Sequence, residues 1–261
     1  MKSITHLLCL VLIGLLSATT VGAAQWGDLS GTFLYDGPVP VAQPISITKD
    51  IAFCGKHKVV NEELVIGSGG GLKNVVLYLY LKRGSDKPAV HESYAKTAKA
   101  EVVLDNDKCR FEPHIVLLRT TQTLVVGNKD AVGHNTKIDM FNNPSINPII
   151  PAGSQLKQQF AVPERLPSTV SCSIHPWMTA RLIITDNPYF AVTDENGKFE
   201  IKNLPVGEWT FQVWQEKSGY VSEVTQDGKA TSWRRGRVTV NIKPGSNDLG
   251  IIKVKPSLFD K

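Results

Sequence analysis

Apolar and polar side chains alternate along much of this chain, and apolar residues hardly ever recur at helical spacing. A period of two turns one face of an extended segment toward a core and the other toward water, so the pattern predicts strands. The strongest runs are Leu29 to Tyr35, Lys73 to Leu81, Glu101 to Leu104, Ile115 to Arg119 and Thr123 to Gly127. Gln155 to Val162, Ser168 to Cys172 and Arg181 to Thr185 follow. Phe190 to Ile201 reads as two strands around an Asn196-Gly197 turn, and Leu204 to Trp214 alternates strictly. Turn residues punctuate the runs, as in Asp36-Gly37-Pro38 and the glycines from Gly67 to Gly71. Val90 to Lys99 is polar and suits a short helix or a loop, and prolines 144, 148 and 151 make the stretch after His134 irregular. Short strands at even spacing predict an all-β sandwich architecture.

The first two dozen residues break the pattern. Lys2 is followed by an apolar run from Leu7 to Leu16, then by the small residues Val21-Gly22-Ala23-Ala24. That order describes a secretory signal, cleaved after Ala23 or Ala24. The run is shorter than the roughly 20 apolar residues that span a bilayer, and no later segment is long enough, so no transmembrane segment is expected. Residues 1–24 are therefore read as a signal peptide, and the mature protein as exported, periplasmic or extracellular. Losing Lys2 lowers the formal charge from +5 to +4, which is mild for 261 residues. Arg234-Arg235-Gly236-Arg237 is the one basic cluster, and no basic stripe interleaved with aromatics calls for nucleic acid.

Cys9 falls in the signal, which leaves Cys54, Cys109 and Cys172. An oxidising compartment favours pairing two and leaving one with another task. Cys172 has metal donors for neighbours, so a Cys54–Cys109 disulfide is expected, the alternative being two buried free thiols.

Those neighbours carry the chemistry. Ser171-Cys172-Ser173-Ile174-His175-Pro176-Trp177-Met178 places a thiolate, an imidazole and a thioether at C-x2-H-x2-M spacing. With one more imidazole, such a set suits copper cycling between its +1 and +2 states. His134, in Val132-Gly133-His134-Asn135-Thr136, is the best fourth donor, and Asn135 could hydrogen-bond across to the ligand loop. Zinc would want a further strong donor. His57, in Cys54-Gly55-Lys56-His57, could be a second metal donor but reads better as a solvated loop histidine. His91 and His114 lack partners at ligand spacing, and Met140 is less well placed than Met178 for a weak axial contact. The glycines at 67–71 open onto a strand, which argues against phosphate binding.

Residues from about Cys109 to Thr185 resemble a cupredoxin of the plastocyanin and amicyanin type. The likeness rests on T-L-V-V-x-N-x-D-x-x-x-H-N at 123–135, F-x-x-P-E at 160–164 and V-S-C-S-I-H-P-W-M at 170–178. It implies one mononuclear type 1 copper held by His134, Cys172 and His175, with Met178 as a long axial ligand. The tail, T-D-x-x-G-x-F-x-I-x-x-L-P-x-G-x-W-T from Thr193, resembles carboxypeptidase-regulatory, transthyretin-like sandwiches, as does the opening Ser30 to Gly37. The whole chain resembles exported proteins described as methylamine-utilisation-like.

The expected fold is thus all-β, a cupredoxin Greek-key sandwich plus a transthyretin-like sandwich built from both chain ends. The expected divisions are 25–100, an N-terminal β segment, 101–187, the copper domain, and 188–261, a second β segment. The expected function is outer-sphere electron transfer to a redox partner docking near His175, Pro176 and Trp177. A periplasmic copper carrier or scavenger, or an envelope binding module with a secondary copper site, are the alternatives; an enzyme is not expected.

Overall fold

The computed structural model describes residues 25–82 and 84–260; the expected signal peptide, with Cys9, lies outside the described residues. Two β-sandwiches share the chain, each with its own core. In the first, Trp26–Tyr35 lies between Lys198–Pro205, antiparallel to it, and Gly245–Val254, parallel to it. Alternation along this strand sends Leu29 and Phe33 inward. Glu223–Gln226 and Lys229–Ser232 extend the sheet. The opposing sheet comprises Phe190–Val192, Val76–Leu79, Gly207–Gln215 and Gly219–Tyr220, with Arg237–Ile242 also paired to Gly207–Gln215.

The second sandwich is built between residues 101 and 185. One sheet orders Gln155–Gln158, Thr123–Asn128, Glu101–Asp107 and Arg110–Glu112. The other orders Ile115–Arg119, Thr179–Thr185, Ser168–Ser171 and Lys137–Asp139. Leu104, Phe111, Leu118, Leu124, Val170 and Leu182 meet between them.

A third apolar cluster joins the sandwiches. Val76, Tyr78 and Trp214 from the first pack against Ile115 and Ile183 from the second. Strands at this contact are covered on both faces, which explains why Val76–Leu79 reads as an unbroken apolar run and every one of its residues is buried. Leu77 and Leu79 face the first core while Val76 and Tyr78 face the neighbouring sandwich. A buried ionic cluster borders this contact. Glu216 takes Arg181 at 3.0 Å and also meets His114.

Between the first strand and Val76 the chain crosses to the second sandwich and returns. The short helix Ile51–Cys54 sits at the far point of this strap, and Cys54 is joined to Cys109 by a disulfide. Glu62, on the return, pairs with Arg110 at 3.2 Å.

Three local expectations are changed or sharpened. Phe190–Val192 and Lys198–Pro205 flank the Asn196-Gly197 turn but enter opposite sheets, so the turn is an arch and no hairpin forms. Each strand finds better partners elsewhere, Val76–Leu79 and Trp26–Tyr35 respectively. Gly197 has φ 75°, and a Cβ there would sit 1.9 Å from the Phe33 carbonyl oxygen. The strand beginning at Gln155 ends at Gln158, because Phe160 turns away into the second core. The polar segment after Val90 holds a 3-10 helix, Glu92–Thr97, whose first turn is capped by His91 accepting from the Ser93 N–H at 3.1 Å.

Candidate metal centre

Cys172 follows the strand Ser168–Ser171, and Met178 immediately precedes the strand Thr179–Thr185, so two paired strands hold both ends of the loop. Within it the Cys172 N–H donates to the Met178 carbonyl at 3.2 Å and the Met178 N–H to the His175 carbonyl at 2.9 Å. The His175 N–H points at Cys172 Sγ, 3.4 Å away. The loop is therefore curled around its own sulfur. His134 comes from the second sandwich's far end, where His134–Asn135 pairs with Ile149–Ile150.

The structure brings His134, Cys172 and His175 together. Their donor atoms all lie within 4.8 Å of one another. The thiol sulfur is 4.0 Å from His134 Nδ1 and 3.8 Å from His175 Nδ1. Both imidazoles are 0% exposed and Cys172 is 2% exposed, so water is kept off the donors. Met178 is buried in the same apolar core as Cys172. Cys172 is the free cysteine among the described residues.

Asn135 fastens the two halves of the site. Its Oδ1 accepts from the backbone N–H of Ser173 at 2.7 Å and of Ile174 at 3.2 Å, and lies 3.3 Å from the thiol. Its amide donates to Asn147 Oδ1 at 2.6 Å, which fixes which way it points.

Each imidazole turns Nδ1 inward because Nε2 is engaged behind it. His134 Nε2 meets the Asp130 carboxylate at 2.8 Å, and His175 Nε2 meets Asp50 at 2.7 Å. Asp130 is itself aimed by two N–H donors, Lys108 at 2.6 Å and Cys109 at 2.8 Å. Those two residues share left-handed backbone, φ 54° and 56°, in the turn after Glu101–Asp107, which points successive N–H groups to one spot. Burial opposes charge on Asp130, but His134 and these N–H groups outweigh it and hold the carboxyl below its ordinary value. Burial likewise works against protonated His134, yet Asp130 and Cys172 push its pKa up to about 8. For His175, burial and the charge of His134 outweigh Asp50 and lower the pKa. Burial opposes the Cys172 thiolate, and contacts with His134 and the surrounding backbone N–H groups lower its pKa all the same. The electrostatics of the metal-free site thus favour a thiolate beside an imidazolium at His134, whose proton a soft or borderline metal would displace on binding.

Cys109 Sγ lies within the same radius of Asp130 and His134, but it is spent in the disulfide and offers no thiolate. The remaining candidates are occupied elsewhere. His91 caps a helix, and His114 is locked to Glu216 across the sandwich contact. His57 packs edge-on to Phe53 at 5.3 Å, and Met140 lies at the fringe of the second core. Gly67 and Gly71 press against the backbone of Glu195 and Asn196, a packing role with no room for a Cβ. His175 has no exposed edge. The exposed residues of its loop are Ser173, Ile174 and Pro176, while Trp177 is half-buried with its ring 5.2 Å from that of His175.

Sequence reasoning passed over both carboxylates. Asp130 stands four residues before His134, a spacing that could have flagged it. Asp50 lies 125 residues from His175 and leaves no local signal.

Neither a protein-family model nor a curated protein sequence matches the chain. Among solved structures, the purple cupredoxin of Nitrosopumilus maritimus aligns over 33% of this chain and 100% of its own, at 22% identity and TM-score 0.27. The oxidised form of a point mutant of amicyanin aligns over 39% of this chain and 94% of its own, at 18% identity and TM-score 0.30. A copper-containing nitrite reductase from Thermus scotoductus SA-01 aligns over 41% of this chain and 25% of its own, at 16% identity and TM-score 0.29.

Proposed function

We propose that this protein is an exported cupredoxin-type copper protein that carries single electrons by outer-sphere transfer, and that it is not an enzyme. The observation that carries this reading is the buried meeting of one free thiol with two inward-turned imidazole Nδ1 atoms. Cys172, His134 and His175 would hold the ion, and Met178 would cap it weakly. A thiolate with two imidazoles and a thioether fits type 1 copper better than zinc, for which methionine is a poor ligand.

Bound there, copper would supply a one-electron couple between its +1 and +2 states. The chain's own part is to hold the donors still and dry. Asn135 ties the ligand loop to the His134 segment, and the His175 N–H points at the sulfur from within the loop. A site fixed from several directions rearranges little when the charge at its centre changes, which is the requirement for fast electron exchange. The N-terminal leader and the Cys54–Cys109 disulfide support export to an oxidising compartment. A redox partner would dock over Ser173, Ile174 and Pro176, close to His175 and Trp177. Such encounters are transient and bury less than about 1,200 Å².

The test is to add Cu(II) to purified protein and record visible and electron-paramagnetic-resonance spectra. One equivalent of copper and an intense charge-transfer band, both lost in Cys172→Ser, are expected. Protein that stays colourless and copper-free would overturn the assignment.

A further inference from the structure

Asp50 is held in an unusual way. It precedes the helix Ile51–Cys54 in the position where an aspartate side chain commonly accepts a helix N–H, yet it makes no such bond. Its backbone is left-handed, φ 45°, and its carboxylate is turned instead onto His175 Nε2 at 2.7 Å. Four residues on, Cys54 bonds the strap covalently to Cys109, and Trp177 of the ligand loop donates to the Cys109 carbonyl at 3.0 Å. The strap comes from outside the second sandwich, and its disulfide anchor lies four residues from the Asp50 that covers His175.

We propose that Asp50 is a positioning residue of the metal centre, and that with Asp130 it gives both imidazoles an anionic backing that favours the oxidised ion. The inference rests on the copper reading above. A carboxylate on the outer nitrogen of a ligating histidine fixes the tautomer, orients the ring and makes the inner nitrogen a stronger donor. Here the arrangement occurs twice, on His134 from within the sandwich and on His175 from the strap. Two negative charges behind the ligands stabilise the more highly charged metal state over the lower one. Asp130 is almost fully enclosed, with its side chain 2% exposed, whereas that of Asp50 is 42% exposed. The inner carboxylate is therefore the less screened, and the outer one can be altered without opening the core.

The full chain, loaded with copper, is compared as wild type, Asp50→Asn and Asp50→Ala by spectroelectrochemistry and by copper loss to a chelator. Asparagine keeps an oxygen that accepts from His175 Nε2 but removes the charge. Its visible spectrum should persist while preference for Cu(II) over Cu(I) falls about tenfold, a rise in potential of about 59 mV. Asp50→Ala should show the same rise and also lose copper about tenfold faster, because the ring is no longer held. Blue protein whose potential is unchanged in both variants overturns the proposal. Wild-type protein that takes up no copper sinks the metal centre itself, and the proposal with it, a failure seen from the colour before any potential is measured.

Discussion

Trp177 donates its indole N–H to the backbone carbonyl of Cys109 across 3.0 Å, so the ligand loop leans on the residue that also anchors the strap. Trp177→Phe keeps an aromatic ring beside His175 and removes this one bond. We expect a loss of about 1 kcal/mol, the usual net worth of a neutral hydrogen bond, in urea unfolding of the metal-free protein. An unmoved midpoint would show that the contact is incidental.

Glu216 fastens the sandwiches together. Its side chain is 3% exposed and is shared by Arg181 and His114, with Glu62 and Arg110 close behind. Burial opposes its charge, but His114 and Arg181 prevail and hold its pKa below the ordinary 4.5. The folded value is the lower one, so the stabilisation is complete above pH 4.5 and drains away as pH falls through the folded value. Glu216→Ala takes the carboxylate away from buried His114 and partly exposed Arg181 and should cost about 3 kcal/mol at neutral pH. The variant's stability should also depend less on pH in the acid limb of a denaturation series than the wild type's does.

The Cys54–Cys109 bridge closes a stretch of 55 residues that reaches from one sandwich to the other. Chain-entropy arguments put such a closure at about 4 kcal/mol. Guanidinium unfolding of metal-free protein, with and without dithiothreitol, should differ by an amount of that order. Equal curves would mean that the strap is held by its packing alone.

How much of this could be read in advance depended on distance along the chain. Cys172, His175 and Met178 share a single loop, and His134 follows a strand by a few residues, so their grouping could be seen in spacing and residue type. Alternation located most strands because one face of each meets a core, and even the unbroken Val76–Leu79 run kept its strand signal through β-branched and aromatic content. The Asn196-Gly197 turn and its two flanking strands are legible, but a tight turn says nothing about which sheet either flank will join; that choice belongs to Trp26–Tyr35 and Val76–Leu79, far away in the chain. Asp50 was invisible for the same reason, since its position over His175 is set by a covalent bridge to a third segment.

The placement of Trp26–Tyr35 between Lys198–Pro205 and Gly245–Val254 constrains the order of assembly. Every strand of the second sandwich falls within residues 101–185 and can find its neighbours while the tail is still emerging. The opening strand can pair with Lys198–Pro205 once that segment emerges, but its parallel partner Gly245–Val254 arrives last. The metal-binding half is thus free to form early, and the molecule is sealed only when its beginning and its end are finally brought side by side.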